Sequence, residues 1–285
     1  MQIERKRAAE LGKQTLEIIE KGAYINDQGV WVHIAREIEY AIHHTESYPP
    51  DTSPPSYAFG GNETRFYVCN ESTLSAAKRL VENGHEVMVL NFASAKNPGG
   101  GFLGGSRAQE ESLARSSALY ACIVGNDMYD YHRQLRNPIY SNYAIYSPSV
   151  PVFRDHEGTL LDSPYHCAFI TSPAVNAGAF SQNKKWHKSR KKSRKYSVKD
   201  EMYDRIVKVL AIAAEHGHDG LVLGAWGCGV FRNNTEEIAE LFYQALSQNF
   251  RGKFKTVVFA ILDWSNKKRF IGPFLDQFGK DCVIV

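Results

Sequence analysis

The chain has 285 residues, of which 43% are hydrophobic and 23% are charged, values typical of a folded globular protein rather than a disordered one. The formal net charge of +3 is too small by itself to indicate a nucleic-acid-binding protein. The sequence contains no apolar run of the roughly 20 residues that a membrane helix requires. Because its first residues are charged rather than apolar, we expect a cytoplasmic, intracellular protein.

Residues 1–62 are predicted to form an N-terminal helical extension and a connector. Apolar residues recur at helical spacing over residues 7–21, and residues 32–43 are predicted to form a second helical segment. Residues 48–62 contain four prolines and two glycines, which favours an extended connector. The remainder, residues 63–285, is predicted to be an α/β core that packs with the extension as one compact unit.

The core sequence alternates predicted strands with predicted helices. Short apolar runs predict strands, and longer runs with apolar residues on one face predict helices. The predicted strands are residues 66–70, 87–93, 144–147, 166–171, 221–223 and 256–262, and the predicted helices are residues 72–83, 110–120, 198–216 and 235–248. Residues 150–164 are predicted to be a hairpin or an excursion near the sheet edge. This order indicates an α/β fold in which a mixed sheet is sandwiched by helices.

A glycine-rich loop follows the predicted strand 87–93 and precedes a predicted helix. Its sequence is Asn97-Pro98-Gly99-Gly100-Gly101, followed after seven residues by Gln109-Glu110-Glu111. Glycines allow the backbone to approach a ligand closely, and the N-terminus of the following helix favours an anion such as a phosphate. In open α/β sheets, ligands bind beyond the carboxyl ends of the strands. The loop is therefore a candidate ligand site, although the pattern also fits a surface turn before a helix whose glutamates complement its dipole.

The adjacent carboxylates of Glu110 and Glu111 indicate proton transfer. Neighbouring helical residues are separated by about 100°, so we expect that the two side chains do not aim at the same atom and have different roles. One would orient substrate hydroxyls, while the other acts first as an acid and then as a base. The helix N-terminus lowers the pKa of such a glutamate, whereas a neighbouring carboxylate and a bound pyrophosphate raise it. The sequence leaves open which influence is larger.

A second glycine loop, with Gly227, Cys228 and Gly229, follows the predicted strand 221–223. If the strands before the two loops are parallel neighbours, the loops meet at one end of the sheet and can hold opposite sides of a diphosphate. No Gly-x-Gly-x-x-Gly opens a first βαβ unit, which argues against a Rossmann site, and no Gly-Lys-Ser/Thr follows either loop, which excludes a P-loop. Cys228 is either a nucleophile or a packing residue.

The cysteines indicate neither a metal site nor a disulfide framework. There are five, an odd number, and they are widely scattered: Cys69, Cys122, Cys167, Cys228 and Cys282. We therefore expect reduced thiols. The sequence also lacks histidine-rich or aspartate-rich ligand clusters, so we expect no metal and no other cofactor.

A strongly basic run extends from Lys184 to Lys195 and contains eight Lys or Arg in twelve residues. One interpretation is a solvated loop without a partner. The other is an electrostatic contact with a polyanion, either a nucleic acid or another phosphate-linked polymer of nucleotides, in which Trp186 stacks on a base. The sequence leaves both open.

Three segments of the sequence resemble the microbial-type poly(ADP-ribose) glycohydrolases. They are residues 91–117, which contain the three glycines and the Gln-Glu-Glu sequence, residues 169–178 and residues 217–231. The resemblance implies a macrodomain-like fold with helical additions, in which residues 63–285 would be the catalytic core. It also implies hydrolysis of the ribose–ribose O-glycosidic bond of poly(ADP-ribose), with release of ADP-ribose and without a cofactor.

The resemblance also implies roles for individual residues. Glu111 would be the catalytic acid/base, and Glu110 would hydrogen-bond a ribose hydroxyl near the scissile bond. The first glycine loop would surround the distal ribose and the diphosphate, the second would bind the diphosphate, and Phe231 would pack against the distal ribose. The expected substrate-binding residues are Asn97, Gly99, Gly100, Gly101, Gln109, Gly227, Cys228, Gly229, Val230 and Phe231.

The expected partners are poly(ADP-ribose) or an ADP-ribosylated protein as substrate and ADP-ribose as product, and we expect a monomer that has no membrane partner. Two alternatives use the same pocket: a non-catalytic ADP-ribose-binding reader, and an enzyme that removes mono-ADP-ribose. The Glu110-Glu111 pair argues against the reader, because binding a diphosphate gains nothing from two nearby anions. The sequence separates the two hydrolases poorly, because both break a bond at the same ribose carbon.

Overall fold

The N-terminal segment contains two helices and a small hairpin in the computed structural model, which describes residues 3–53, 55, 60–135, 137–182 and 197–279. Helix α1 (Arg5–Lys21) is followed by strands β1 (Ala23–Ile25) and β2 (Trp31–His33) and by helix α2 (Ala35–His43). The predicted first helix is confirmed, whereas the second begins later than predicted. Residues 32 and 33 are predicted to be helical, but they belong to β2, which pairs antiparallel with β1.

A mixed sheet of seven strands lies at the centre of the part of the chain that the structure describes. Its strands are β3 (Glu46–Tyr48), β4 (Arg65–Cys69), β5 (Val87–Phe92), β6 (Ala144–Arg154), β7 (Leu160–Ser172), β8 (Gly220–Leu223) and β9 (Thr256–Ala260). Their spatial order is β3-β6-β7-β5-β8-β9-β4. Strands β7, β5, β8, β9 and β4 are parallel, while β6 is antiparallel to β7 and β3 is antiparallel to β6.

Helices cover both faces of this sheet, which confirms the predicted sandwich. Beyond α2 they are α3 (Thr73–Glu82), α4 (Gln109–Ser116), α5 (Leu119–Ile123), α6 (Asp127–Leu135), α7 (Ala177–Gln182), α8 (Val198–Glu215), α9 (Thr235–Gln244) and α10 (Gly272–Phe278). Because side chains alternate along a strand, β5 contributes to two apolar cores. Met88 and Leu90 join the cluster that contains residues of α8, α9 and α10, whereas Val87 and Val89 join the cluster that contains residues of α1, α2 and α3.

Strands β6 and β7 form a hairpin that is longer than the two short strands predicted from the sequence. Three prolines interrupt the apolar pattern, and proline cannot donate to a strand ladder. Pro148 lies in one register shift, between Ser147 and Val150, and Pro164 lies opposite the other, between Val152 and Arg154, whereas Pro151 is paired with His166. Residues 150–164 therefore form part of a hairpin, which confirms one of the two alternatives predicted for them.

The N-terminal segment also contributes to the central sheet. Strand β3 pairs with β6, so the first 62 residues supply one edge of the sheet. The buried Lys208 of α8 donates hydrogen bonds to the carbonyls of Tyr48 (3.1 Å) and Pro49 (2.6 Å), which fastens the start of the connector to the core. A division into an extension and a catalytic core remains a prediction.

Two further sequence expectations concern the basic run and the cysteines. The basic run from Lys184 to Lys195 lies outside the described residues. Cys122, Cys167 and Cys228 are free thiols, as expected. Cys69 is instead disulfide-bonded, which corrects the expectation that all thiols are reduced. An odd number of scattered cysteines does not exclude a single bridge.

Candidate active site

The two glycine loops leave the sheet at adjacent positions. Strands β5 and β8 are hydrogen-bonded neighbours and run parallel, with Val87 opposite Gly220 and Val89 opposite Val222. Their carboxyl ends therefore lie at the same edge of the sheet. The sequence predicts that the two loops meet if the strands before them are parallel neighbours, and β5 and β8 are such neighbours.

Gln109 holds the start of α4 against strand β5. Its Oε1 accepts a hydrogen bond from the Phe92 N–H at 2.9 Å, and its Nε2 donates to the Leu90 carbonyl at 2.8 Å. The Gln109 side-chain amide thus pairs with the backbone of β5 as a neighbouring strand would. This pairing places Glu110 and Glu111 next to the first glycine loop.

Glu110 is almost completely buried, with 3% of its surface exposed. Its Oε2 accepts a hydrogen bond from the Ser94 N–H at 2.7 Å, and its Oε1 has no partner among the described residues. Burial raises the pKa of Glu110 to about 8, and the nearby charge of Glu111 acts in the same direction, while hydrogen bonding from Ser94, Asn91 and Gly99 opposes both. Burial, which the sequence does not show, is therefore the largest influence on the pKa of Glu110.

Glu111 is held by the glycine loop itself. Its Oε1 accepts a hydrogen bond from the Gly101 N–H at 3.0 Å, and its Oε2 is buried without a partner among the described residues. Each glutamate therefore has one oxygen fixed by a backbone N–H and one oxygen that is unpaired. Buried polar atoms without partners are rare in folded proteins, and here they mark a place where a polar ligand can bind.

Both carboxylates lie against the same point of the backbone. A Cβ atom on Gly100 would overlap the Glu111 carboxylate and would lie 3.0 Å from Glu110 Oε2. The two oxygens that accept backbone hydrogen bonds, Glu111 Oε1 and Glu110 Oε2, therefore lie close together, and whether the two carboxylates aim at the same substrate atom remains a prediction. The 100° separation applies at the helix surface, and the flexible glutamate side chains turn back toward the loop beyond it.

The second glycine loop is fixed by a buried asparagine. Gly227 has a φ of +74°, and a Cβ atom there would overlap Asn233 Nδ2 and lie 2.6 Å from Ala174 Cβ. Asn233 Nδ2 donates to the carbonyls of Val175 (2.8 Å) and Gly227 (3.0 Å). This bond links the loop after β8 to the loop after β7, the strand on the other side of β5.

The remaining predicted site residues differ in exposure. Cys228 is buried, and burial raises the pKa of its thiol to about 12, which favours packing over nucleophilic attack. Val230 is 86% exposed, and the half-buried Phe231 lies with its ring centroid 6.0 Å from that of Tyr140. Asn97 is exposed, and its backbone N–H donates to Ser94 Oγ at 3.2 Å.

Three residues of this region were not predicted: Ser94, Asn233 and Tyr140. Ser94 and Asn233 act through hydrogen bonds to residues distant in the sequence, which no local pattern shows. Tyr140 has a positive φ of 60°, a conformation that is uncommon outside glycine and is often found at functional sites. The only local signal for it is the turn-forming Asn137-Pro138 before it.

Comparison with known proteins bears directly on this site. Residues 12–155 match the family model of the catalytic domain of microbial-type poly(ADP-ribose) glycohydrolase (PARG). This range contains both glutamates and the first glycine loop. The chain belongs to this family. Comparison with curated protein sequences gives no match.

Solved structures of this family are similar over most of the chain. Poly(ADP-ribose) glycohydrolase (PARG) from Thermomonospora curvata is 41% identical with a TM-score of 0.88, and the match covers 96% of this chain and 100% of that one. The same enzyme bound to the inhibitor ADP-HPD is 40% identical, with a TM-score of 0.85 and the same coverage. PARG from Deinococcus radiodurans in complex with ADP-ribose is 37% identical with a TM-score of 0.76, and covers 86% of this chain and 98% of its own.

Two further properties of the described residues concern membranes and metals. No helix in the described ranges is both long enough and apolar enough to cross a membrane. Within the same ranges, histidine, cysteine, aspartate and glutamate side chains do not gather in groups of three or more that could hold a metal ion.

Proposed function

We propose that this protein hydrolyses the ribose–ribose O-glycosidic bonds of poly(ADP-ribose) and releases ADP-ribose. The observation that carries the proposal is the pair of glutamates at the first glycine loop, each with one oxygen held by a backbone N–H and one unpaired. A glycosidic bond needs a group that gives and later takes a proton, and carboxyls supply it. Membership of the PARG family supports the assignment.

In this proposal Glu111 is the acid/base. Its protonated carboxyl gives a proton to the leaving 2′-oxygen while the distal ribose becomes oxocarbenium-like. The resulting carboxylate then removes a proton from the attacking water. The Gly101 N–H fixes one oxygen of Glu111, and the other, the unpaired Oε2, is proposed to transfer the proton.

Glu110 is proposed to orient the substrate. With a pKa of about 8 it is mostly neutral at pH 7, and a neutral carboxyl can both donate to and accept from ribose hydroxyls. A neutral Glu110 also places no second negative charge beside the diphosphate. This removes the repulsion that two ionised carboxylates would impose on an anionic ligand.

The two glycine loops are proposed to bind the ADP-ribose unit. Residues 99–101 and 227–231 leave adjacent parallel strands at one edge of the sheet, a position that suits a diphosphate. Phe231 is proposed to pack against the distal ribose, and Asn97 and Val230 to line the entrance. Holding the ribose in this way sets its anomeric carbon against the acid.

The raised pKa of Glu110 favours one competing assignment of roles. A carboxyl that is protonated at neutral pH is also suited to be the proton donor. The matched variants Glu111→Gln and Glu110→Gln distinguish the two. We expect Glu111→Gln to lower kcat on poly(ADP-ribose) by about 10²-fold to 10⁴-fold while ADP-ribose still binds. We expect Glu110→Gln to retain more activity, because an amide still hydrogen-bonds a hydroxyl.

The readouts are single-turnover rates and calorimetric binding of ADP-ribose for both variants. If Glu111→Gln turned over polymer at the parent rate, its assignment would be wrong. If Glu110→Gln alone were inactive, the roles would be exchanged.

One incubation tests the reaction itself. The pure protein is mixed separately with defined poly(ADP-ribose) and with mono-ADP-ribosylated protein, and the products are identified by mass spectrometry. We expect ADP-ribose from the polymer. Release from the mono-modified protein alone would indicate the mono-ADP-ribosyl hydrolase, and binding of both without products would indicate the reader.

Partners and assembly are also part of the proposal. We propose a monomer that acts in the cytoplasm on poly(ADP-ribose) attached to proteins. Deleting residues 184–195 tests whether the basic run contacts the polymer. Affinity for long polymer that is unchanged, including at low salt, would exclude that contact.

A further inference from the structure

Helix α1 lies directly against the first glycine loop. Gly12 is buried in the middle of this helix, and a Cβ atom on it would lie 3.0 Å from the Phe102 carbonyl oxygen and 3.2 Å from Phe102 Cδ2. Glycine inside a helix costs about 1 kcal/mol relative to alanine. Here the missing side chain is what allows the helix to approach the loop so closely.

Phe102 connects α1 to the catalytic residues. Its ring is fully buried, and a Cβ atom on Gly99 would lie 3.0 Å from Phe102 Cδ1, so the ring separates Gly12 from Gly99. The Phe102 N–H donates to the Gly99 carbonyl at 3.3 Å. Phe102 also directly follows Gly101, whose N–H holds the Glu111 carboxylate. The position of this ring therefore sets the position of the loop.

Further bonds fasten α1 on both sides of the loop. Arg5 Nε donates to the Gly104 carbonyl at 3.2 Å, and Arg107 Nη1 donates to the Ile3 carbonyl at 3.1 Å. In the middle of the helix, the buried Thr15 Oγ1 donates to the Arg115 carbonyl at the end of α4. The family match begins at residue 12, so the contacts of Ile3 and Arg5 come from outside the matched range.

We propose that Phe102 is a positioning residue for the reaction, and that α1 seats its ring through Gly12 so that residues 99–101 keep the Glu111 carboxylate in place. The inference rests on the proposed role of Glu111. Phe102 is buried and acts through the loop backbone, so its effect falls on the chemical step. A displacement of the order of 1 Å at a reacting group costs about 10²-fold in rate.

A double-mutant cycle tests this coupling. Gly12→Ala adds a methyl group that pushes on Phe102, although alanine by itself favours the helix by about 1 kcal/mol. We expect kcat to fall by about tenfold with less than a threefold change in KM. Phe102→Leu should also lower kcat, because Gly99 loses its support. In the double variant leucine removes the contact with the ring but not the contact with the backbone carbonyl, so the two losses in kcat should be less than additive.

Two control variants separate positioning from general destabilisation. Gln14→Ala changes an exposed residue of the same helix and should leave kcat unchanged. Phe254→Leu removes the same atoms from a fully buried ring at the amino end of β9, so it should lower the melting temperature without lowering kcat.

The outcomes are distinguishable from failure of the proposed function. If Glu111→Gln is inactive but Gly12→Ala and Phe102→Leu keep the parent kcat, the positioning inference alone is overturned. Losses in kcat that simply add in the double variant overturn it as well. If Gly12→Ala does not accumulate as a folded protein, the kcat values of Phe102→Leu and Phe254→Leu are compared instead. A loss of kcat in Phe102→Leu that is no larger than in Phe254→Leu then overturns the inference.

Discussion

Glu110 and Glu111 are neighbours in the sequence but differ in environment. Glu110 is buried with a pKa raised to about 8, whereas Glu111 is half-buried and held by the glycine loop. A pattern of two adjacent acids predicts that they act together. It does not predict which is buried, because that depends on Ser94 and on the packing of α4 against β5.

The titration of Glu110 should be visible in the stability of the protein. Its pKa rises from an ordinary 4.5 to about 8 on folding, so the neutral form is favoured in the folded state. Glu110 therefore contributes fully to the stability of the folded state below pH 4.5, its pKa in the unfolded chain, and this contribution is lost as the pH rises toward 8. Glu110→Gln cannot ionise and avoids this loss.

We therefore expect the difference in unfolding free energy between Glu110→Gln and the parent to grow in favour of the variant from pH 5 to pH 8. One pH unit corresponds to about 1.4 kcal/mol, so the total is on the order of a few kcal/mol. Urea denaturation at several pH values measures it. A difference that stays constant with pH would contradict a buried, titrating Glu110.

Gly100 should not tolerate any side chain. A Cβ atom would overlap the Glu111 carboxylate, and its φ of +60° is also unfavourable for alanine. We expect Gly100→Ala to lower kcat by at least about 10²-fold by displacing Glu111. Gly84→Ala is the matched control, because Gly84 has a φ of +78° but open space around its Cβ position. Equal kcat for the two variants would show that backbone strain, and not the carboxylates, is responsible.

At the scale of elements, a buried arginine connects helix α8 to two loops near the site. Arg205 is fully buried, and it donates to the Pro173 carbonyl at 3.0 Å and to the Ile139 carbonyl at 2.6 Å. Burial lowers its pKa to about 10, so it remains charged at neutral pH. The two carbonyls lie just after β7 and just before Tyr140.

We expect Arg205→Met to lower the free energy of unfolding by about 3 kcal/mol, because it leaves two buried carbonyls without their charged donor. Arg251→Met, at an exposed position, should change it by less than about 0.5 kcal/mol. Chemical denaturation measures both. A loss at Arg205 no larger than that at Arg251 would contradict a structural role for these bonds.

Most elements follow from local patterns in the sequence. Ser72 caps α3 by accepting a hydrogen bond from the Ser75 N–H at 3.0 Å, as expected for a serine directly before a helix. Asn70, two residues earlier, instead pairs with the backbone of Asp263. The local sequence does not predict the full length of the β6–β7 hairpin, because the register shifts at Pro148 and Pro164 depend on the partner strand.

At the scale of the whole molecule, the N-terminal segment shares a core with the sheet. Ile18 of α1 and Ile38 of α2 belong to the same apolar cluster as Val89 of β5. We therefore expect a single cooperative thermal transition by calorimetry, whose midpoint rises as a whole when ADP-ribose is added. Two transitions, of which only one responds to ADP-ribose, would show that the extension unfolds independently.

The order of the strands has a consequence for how the chain reaches its native state. Strand β4 pairs with β9, although Arg65 and its partner Thr256 are separated by most of the chain. Strand β5, which leads into the first glycine loop, has both of its neighbours, β7 and β8, later in the sequence. Such distant pairings form slowly, because a long loop must close before they contribute. During synthesis on the ribosome, β4 and β5 therefore keep unpaired edges until the last third of the chain has emerged.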